Sequence, residues 1–286
     1  EVVAITAHSN AGEQITSIHP HLQSYASRKF GTFSAADFDS CELIFLALPH
    51  GESASAVSAI STIKSMMKFV DIGADFRLED PADWERYYGG VHAGHWVYGL
   101  PEIKGKKVEI ESASRIANPG CYATATALAL TPLAHFAHLD DVVVVAASGT
   151  SGAGRSLKSN LLASSIMGSM SSYKFGGVHQ HTPEIEEALT HIACSEVKIS
   201  FTPILAPMPR GILSTVTAKL IGSATTESVH ALYSTAYAKD EFVTVLPIGQ
   251  MPKTNSVIGS NQVQLQVAVD SHTNRLIVSA AIDNLG

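Results

Sequence analysis

Residues 41–78 constrain the fold more than any other stretch of the chain. CELIFLALPHG and KFVDIGADFRL each carry a short apolar run that stops at a turn, and ESASAVSAISTIKSMM between them sets small and apolar residues at helical spacing. Strand, helix, strand in that order makes a crossover, and strands joined by a helix pair in parallel. Leu43–Leu48 reads as a fully buried strand that ends in the Pro49-His50-Gly51 turn. EVVAIT, residues 1–6, reads as a further short strand.

The later half has a different texture. NQVQLQVAVD, 261–270, alternates strictly, with Val263, Leu265, Val267 and Val269 on one face and Gln262, Gln264 and Gln266 on the other. RLIVSAAID follows after the short SHTN turn, which predicts a hairpin. DDVVVVAAS reads as a buried strand, and GILSTVTAKL alternates less cleanly. The expected fold is therefore α/β: a parallel-sheet domain followed by an α+β domain with a mixed, largely antiparallel sheet, the boundary falling just before Cys121. With 286 residues and 45% hydrophobic content, a chain of this kind makes one or two domains.

Charge and cysteine usage narrow the function. The 19 Lys+Arg against 26 Asp+Glu give a net charge of −7, and no basic stripe is present to neutralise a phosphate backbone, so no nucleic-acid partner is expected. No apolar run approaches the ~18 residues of a membrane span, and no targeting signal opens the sequence. Cys41, Cys121 and Cys194 are odd in number and scattered, which suits reduced thiols in a cytoplasm or an organelle stroma.

The chemistry centres on ANPGCYATATALAL, 117–130. Asn118-Pro119-Gly120 turns the chain and leaves Cys121 in the first turn of a helix, where unpaired N–H groups and a positive dipole end would lower a thiol's pKa. Cys41 and Cys194 read instead as small buried hydrophobes. Proton partners are sought in GGVHQHTPEIEEAL, where His179 and His181 precede a helix opened by Thr182 as N-cap and Pro183, with Glu184 in its first turn. His179, His181, His191 and Cys194 match no common zinc spacing, so no metal is expected. SGTSGAGRS, 148–156, comes close to a phosphate loop but has Arg155 where lysine belongs. It leaves a glycine-rich turn of exposed N–H groups, opening a helix, that with Arg155 could hold a phosphate or carboxylate. Arg210, between Pro209 and Gly211 in APMPRGIL, could present a fixed fork to an acidic substrate.

Taken together, NPGCYATATALALTPL, SGTSGAGR, GGVHQHTPEIEE, PMPRGIL and AAIDNLG resemble the N-acetyl-γ-glutamyl-phosphate reductase family, NADPH-dependent enzymes of arginine biosynthesis, in order and over nearly the whole chain. SNAGEQITSIHPHL and DIGADFRL match in kind. The resemblance implies a Rossmann-like NADP-binding domain over residues 1–119, with 283–286 returning to it, and a substrate and oligomerisation domain over 120–282. It implies Cys121 as nucleophile, His179 or His181 as acid/base, Arg210, Arg155 and Asn118 as substrate contacts, and Ser9, Asn10, Ser151, Gly152 and Asn284 at the cofactor. It also implies an acyl phosphate substrate and a homo-oligomer, dimer or tetramer. NADP has separate support from the residues: AHSN after EVVAIT holds no carboxylate for a ribose 2′-hydroxyl, whereas Ser9, Asn10 and His8 could accept a 2′-phosphate. In that family EVVAIT corresponds to a second strand, and a glycine-rich first unit and a closing helix have no counterpart here, so weak NADPH binding by this polypeptide alone is expected. The same chemistry on aminoadipyl or aspartyl phosphate, an inactive oligomerisation fragment, and a P-loop nucleotidase remain alternatives.

Overall fold

The structure, a computed structural model, describes residues 1–154, 159–193 and 195–285. Its strands form two sheets. In the first, β1 (Leu43–Leu46), β2 (Lys68–Asp71), β3 (Val97–Tyr98) and β4 (Arg115–Ala117) lie in the order β1-β2-β4-β3, every pairing parallel. The predicted crossover helix spans Ser53–Ser61 and buries Ala56, Val57 and Ile60. Its first N–H groups are already satisfied, because the Asp75 carboxylate accepts from Gly51 (2.7 Å) and Ser53 (2.9 Å).

Two expectations for this half are corrected. EVVAIT is not a strand: only Thr6 bridges to Gly31, and the Val2 and Val3 carbonyls are held by the Arg28 guanidinium at 2.7 and 2.6 Å instead of by a ladder. β1 is shorter than Leu43–Leu48 and alternates, with Ile44 and Leu46 buried and Leu43 and Phe45 exposed, since one face of the strand is uncovered.

The second sheet is mixed, in the order β6-β7-β5-β8-β11-β10-β9. It comprises β5 (Ala137–Ser148), β6 (Ser171–Ser172), β7 (Ile199–Leu205), β8 (Ile212–Leu220), β9 (Val243–Val245), β10 (Val263–Asp270) and β11 (Arg275–Ile282). β10 and β11 form the predicted hairpin, and the β5–β8, β8–β11 and β6–β7 pairings are also antiparallel, while β5–β7 and β9–β10 are parallel. β5 is longer than DDVVVVAAS and is not buried throughout: Val142 and Val144 face the core, whereas Val145 is 40% exposed. Leu213 of β8 and Ile277 of β11 share that exposure, so helices cover one side only and a period of two shows through. On the glutamine face of β10 Gln266 is buried, and its amide donates to Pro247 O at 2.6 Å and Gln250 O at 2.8 Å.

The helix Cys121–Leu130 packs on β8 and β11 and against the helix His181–Ala193. Ala123, Ala125, Ala127 and Ala129 are fully buried, and these small residues let the helix sit close to the sheet. Its closing carbonyls are capped from outside: Tyr233 donates to Ala129 O, Tyr237 to Leu128 O and Thr131 to Ala127 O. A helix anchored so firmly at its end holds its first residue, Cys121, at a fixed point beside the end of β4.

Candidate active site

The turn before the thiol is clamped by two buried side chains from different parts of the chain. Glu184, in the first turn of the histidine helix, accepts from the Gly120 N–H at 2.7 Å and from the Tyr98 hydroxyl at 2.9 Å. Its other oxygen meets Arg77 Nη1 at 3.3 Å, the two side chains being 7% and 1% exposed. Arg77 donates onward from Nε to Asn118 O (2.8 Å) and from Nη2 to Ile72 O (2.9 Å). Asn118 therefore contributes its backbone to the clamp, and its half-buried amide donates to Pro119 O.

Both imidazoles come to this turn. A Cβ on Gly120 would lie 2.6 Å from His181 Cε1 and Nε2, so the ring edge rests directly on the residue before the thiol. His179 and His181 meet at 4.9 Å between ring centres, and each faces the Tyr122 ring, at 5.4 and 5.9 Å. They are not equivalent. His179 Nδ1 accepts the His181 N–H at 3.0 Å and acts as the cap of a helix that starts at His181, two residues earlier than a Thr182 cap would allow. Thr182 Oγ1 is instead buried without a partner, and so is His181 Nδ1. Gly120→Ala drives a methyl into the His181 ring, and a displacement near 1 Å lowers kcat by about 100-fold. Steady-state kinetics checks it, with circular dichroism establishing that the variant folds.

The expected low thiol pKa is overturned. Burial pushes Cys121 up to about 11, with the Glu184 charge adding and the Tyr122 and Cys121 N–H groups and Arg77 opposing. The helix end contributes only ~0.3–1 kcal/mol at an exposed site, which desolvation exceeds. Burial also brings His179 and His181 down to about 3, followed by the charges of His181 and Lys174 on the former and of Arg77, His50 and Lys174 on the latter. The ligand-free site is thus a neutral thiol beside neutral imidazoles. Alkylation of Cys121 by iodoacetamide accordingly rises with pH through 7 to 9 without a plateau, as mass spectrometry of the labelled peptide would register; saturation below pH 7 would contradict it.

The imidazoles also fix a sign for acid stability. Their folded pKa values lie below the ~6.5 of the unfolded chain, so their contribution is present above pH 6.5 and is lost as pH falls toward 3. Urea melts at pH 6.5, 5.5 and 4.5 should lose stability less steeply in His181→Asn than in the unsubstituted chain, each such group carrying at most about 1.4 kcal/mol per pH unit.

The glycine-rich turn departs from expectation. Residues 150–153 form a 3-10 turn rather than opening a helix. Its N–H groups are spent internally: Gly149 on Gly211 O, Thr150 on Met208 O, Ser151 on Pro209 O, Gly152 on Gly149 O and Gly154 on Ser151 O. A phosphate cradle needs these groups free, so the P-loop reading is excluded. Gly149 is required by close approach, since a Cβ there would stand 2.7 Å from Arg210 N. Arg210 is not an open fork either. Its Nε and Nη2 meet buried Asp283 at 3.1 and 2.8 Å, and about a third of the side chain remains exposed. Burial would raise the Asp283 carboxyl, but N–H groups of Gly259 and Leu285 together with Arg210 hold it below the usual range. Asn284 accepts from Gly211 N at 2.6 Å and donates to Ser151 Oγ at 3.0 Å, joining the turn to the end of β11. The polar contacts of Asp283 and Asn284 thus run to the mixed sheet's loops.

Ser9 and Asn10 lie on a separate turn, Ser9 exposed and Asn10 half-buried. Cys41 is buried, as read. Arg155 and Cys194 lie outside the described residues. Of the four ligands weighed for zinc, His191 turns to Glu79 at 3.3 Å, where with Glu187 it forms a group of metal-ligand type; Glu187 already accepts the Glu79 N–H at 3.0 Å. A cavity of about 660 Å³ is lined by Arg77, Tyr98, Glu184 and Glu187 but by neither Cys121 nor His181, so it opens behind the clamp.

Sequence reasoning missed Arg77 and Tyr98 and took Glu184 only as a helix-end acid. No local signal marks the clamp: Arg77 stands among Asp71, Asp75, Glu79 and Asp80, any of which could have neutralised it.

A parallel nucleotide-type sheet joined through a Pro-Gly turn, a thiol and paired imidazoles to a mixed sheet defines an enzyme of the semialdehyde dehydrogenase class. Residues 1–111 match the semialdehyde dehydrogenase NAD binding domain and 121–284 the semialdehyde dehydrogenase dimerisation domain. The chain belongs to the N-acetyl-gamma-glutamyl-phosphate reductase family. It is 53% identical over 287 residues to the protein of that name from Acidothermus cellulolyticus, covering 100% of this chain and 83% of that one. It is 51% identical to the Streptomyces avermitilis protein of the same name, with coverage of 100% and 83%. In fold it is similar to aspartate semialdehyde dehydrogenase from Francisella tularensis (TM-score 0.71, 13% identity, 99% of this chain and 87% of that one). The Candida albicans enzyme with NADP is a comparable match (TM-score 0.66, 14% identity, 98% and 86%).

Proposed function

We propose that this chain reduces N-acetyl-γ-glutamyl phosphate to N-acetylglutamate 5-semialdehyde and phosphate at the expense of NADPH, the arginine-biosynthesis reaction for which its relatives are named. The observation that carries the chemistry is the His181 edge seated on Gly120, immediately before Cys121.

In this reading His181 takes the Cys121 proton and the sulfur attacks the acyl carbon. The C–O bond to phosphate breaks, and a thioester on Cys121 remains. The N–H groups of Cys121 and Tyr122, which oppose the rise of the thiol's pKa, steady the developing negative charge. NADPH, when bound, supplies the hydride that takes the acyl group to the aldehyde level. As the oxygen's negative charge re-forms the carbonyl, the C–S bond breaks and His181 returns its proton to the departing sulfur, restoring the thiol and releasing aldehyde, while the expelled phosphate takes from solvent the one proton the reaction consumes. A thiol near 11 beside an imidazole near 3 favours the neutral pair, so ionisation is coupled to binding: an anionic acyl phosphate raises the imidazole's proton affinity as it arrives. His179, whose Nδ1 is engaged, orients His181.

NADP fits the donor set, because the 8–12 turn offers the Ser9 hydroxyl and the Asn10 amide with no carboxylate between them to repel a 2′-phosphate. Ser151, Gly152 and Asn284 would hold the reactive end. Residues 1–119 serve the cofactor and 120–282 the thiol chemistry and subunit contacts. Arg210 and Asn118 border the substrate. The uncovered face of the mixed sheet, with Val145, Leu213 and Ile277, supports a homo-oligomer, dimer or tetramer, through the dimerisation domain. Among the described residues no helix is long and apolar enough to cross a membrane, and an enzyme dependent on an unpaired thiol works in the reducing cytoplasm or an organelle stroma.

The test is phosphate-dependent reduction of NADP by purified chain with N-acetylglutamate semialdehyde, set against the aminoadipate and aspartate semialdehydes. Selectivity for the first supports the assignment, and preference for either of the others moves the chain to a neighbouring substrate.

A further inference from the structure

Among the described residues the expected anion contacts give the substrate's phosphate no cation, Arg155 lying outside them. Arg210 is forked onto Asp283, Arg77 is buried on Glu184, and the N–H groups of the glycine turn are spent. On the reading of the active site given above, we infer that Lys174 is the cation that binds the phosphate leaving the acyl group.

Three observations place it there. Lys174 lies in the loop between β6 and the imidazoles, next to Tyr173, whose hydroxyl meets that of Tyr122 at 2.9 Å and whose ring is 5.8 Å from His179. Its Nζ donates at 2.5 Å to Gln180, the residue between the two histidines. Its backbone is left-handed, φ 41°, followed by Gly176 and Gly177 at 83° and 78°. The other non-glycine residue with positive φ among those described, Asn274, sits in the β10–β11 turn, where such a backbone is ordinary. A lysine held in this region costs free energy, and such outliers gather at ligand clamps. Its charge is felt by His50, His179 and His181 and disfavours a second positive charge on each ring. A dianion on Lys174 cancels that pressure, so the group that holds phosphate also frees His181 to take the thiol's proton.

The reverse reaction separates phosphate from the acyl part. There a phosphate oxygen attacks the Cys121 thioester, a C–O bond forms, the C–S bond breaks and the sulfur leaves as thiolate. Lys174→Met should raise the KM for inorganic phosphate at least tenfold, leave the KM values for semialdehyde and NADP within twofold, and be largely rescued by Lys174→Arg. Independently of turnover, inorganic phosphate should raise the melting temperature of the unsubstituted chain and not that of Lys174→Met. An unchanged phosphate KM, an NADP KM that rises in its place, or an undiminished thermal response to phosphate would each overturn the assignment. Absence of turnover in the unsubstituted chain together with a Lys174-dependent thermal response would instead count against the reductase reading alone.

Discussion

Cys121→Ser loses phosphate-dependent NADP reduction by at least about 1,000-fold, because a hydroxyl is a far weaker nucleophile than a thiol and the neutral imidazoles around it cannot ionise it. Binding of NADP and phosphate survives the change, so the loss falls on kcat and leaves the affinities near their starting values. Single-turnover mixing with the acyl phosphate sharpens the result. The unsubstituted chain releases one phosphate per subunit before NADPH is added, and the serine variant releases none. A variant that still turned over at a tenth of the original rate would remove Cys121 from the reaction and transfer attention to the imidazoles.

Glu184→Ala is the second large effect, and it appears first in stability. The change leaves Arg77 charged and buried and strips a partner from the Gly120 N–H and the Tyr98 hydroxyl. Breaking one side of a buried ion pair costs about 3–5 kcal/mol, and at roughly 2–4 °C per kcal/mol the melting temperature falls by ~6–20 °C. Replacing both partners with apolar residues of similar volume, Arg77→Met with Glu184→Leu, recovers most of that loss, since the uncompensated charge disappears. Activity divides differently. Glu184→Gln retains an oxygen for the Gly120 N–H and keeps most of the turn's placement, whereas the double apolar variant is stable but slow. Calorimetry and kcat measured on the same preparations decide between a clamp that serves folding alone and one that also positions the thiol.

The parallel crossover, the β10–β11 hairpin and the thiol at a helix start were legible because each depends on local spacing that packing does not override. What the sequence concealed was non-local. Period and apolarity say that 43–48 and 140–148 are strands, but not that each presents one bare face, which depends on where helices lie across the fold. The helix end beside Cys121 suggested an ionised sulfur, yet ionisation is decided by desolvation, a property of everything packed around residue 121. Arg210 and the 149–154 turn looked available for anions because their partners, Asp283, Asn284 and the carbonyls of 208–211, are either far along the chain or hidden in its backbone. The pairing of Arg77 with Glu184 spans 107 positions and has no local trace.

Glu184 and His181 ride on one rigid helix, and the first grips the turn against which the second rests. Nucleophile and proton acceptor therefore move as a unit. The loop after β2 is fastened to the same unit through Arg77, so the thiol–imidazole spacing is held constant as substrate enters and product leaves.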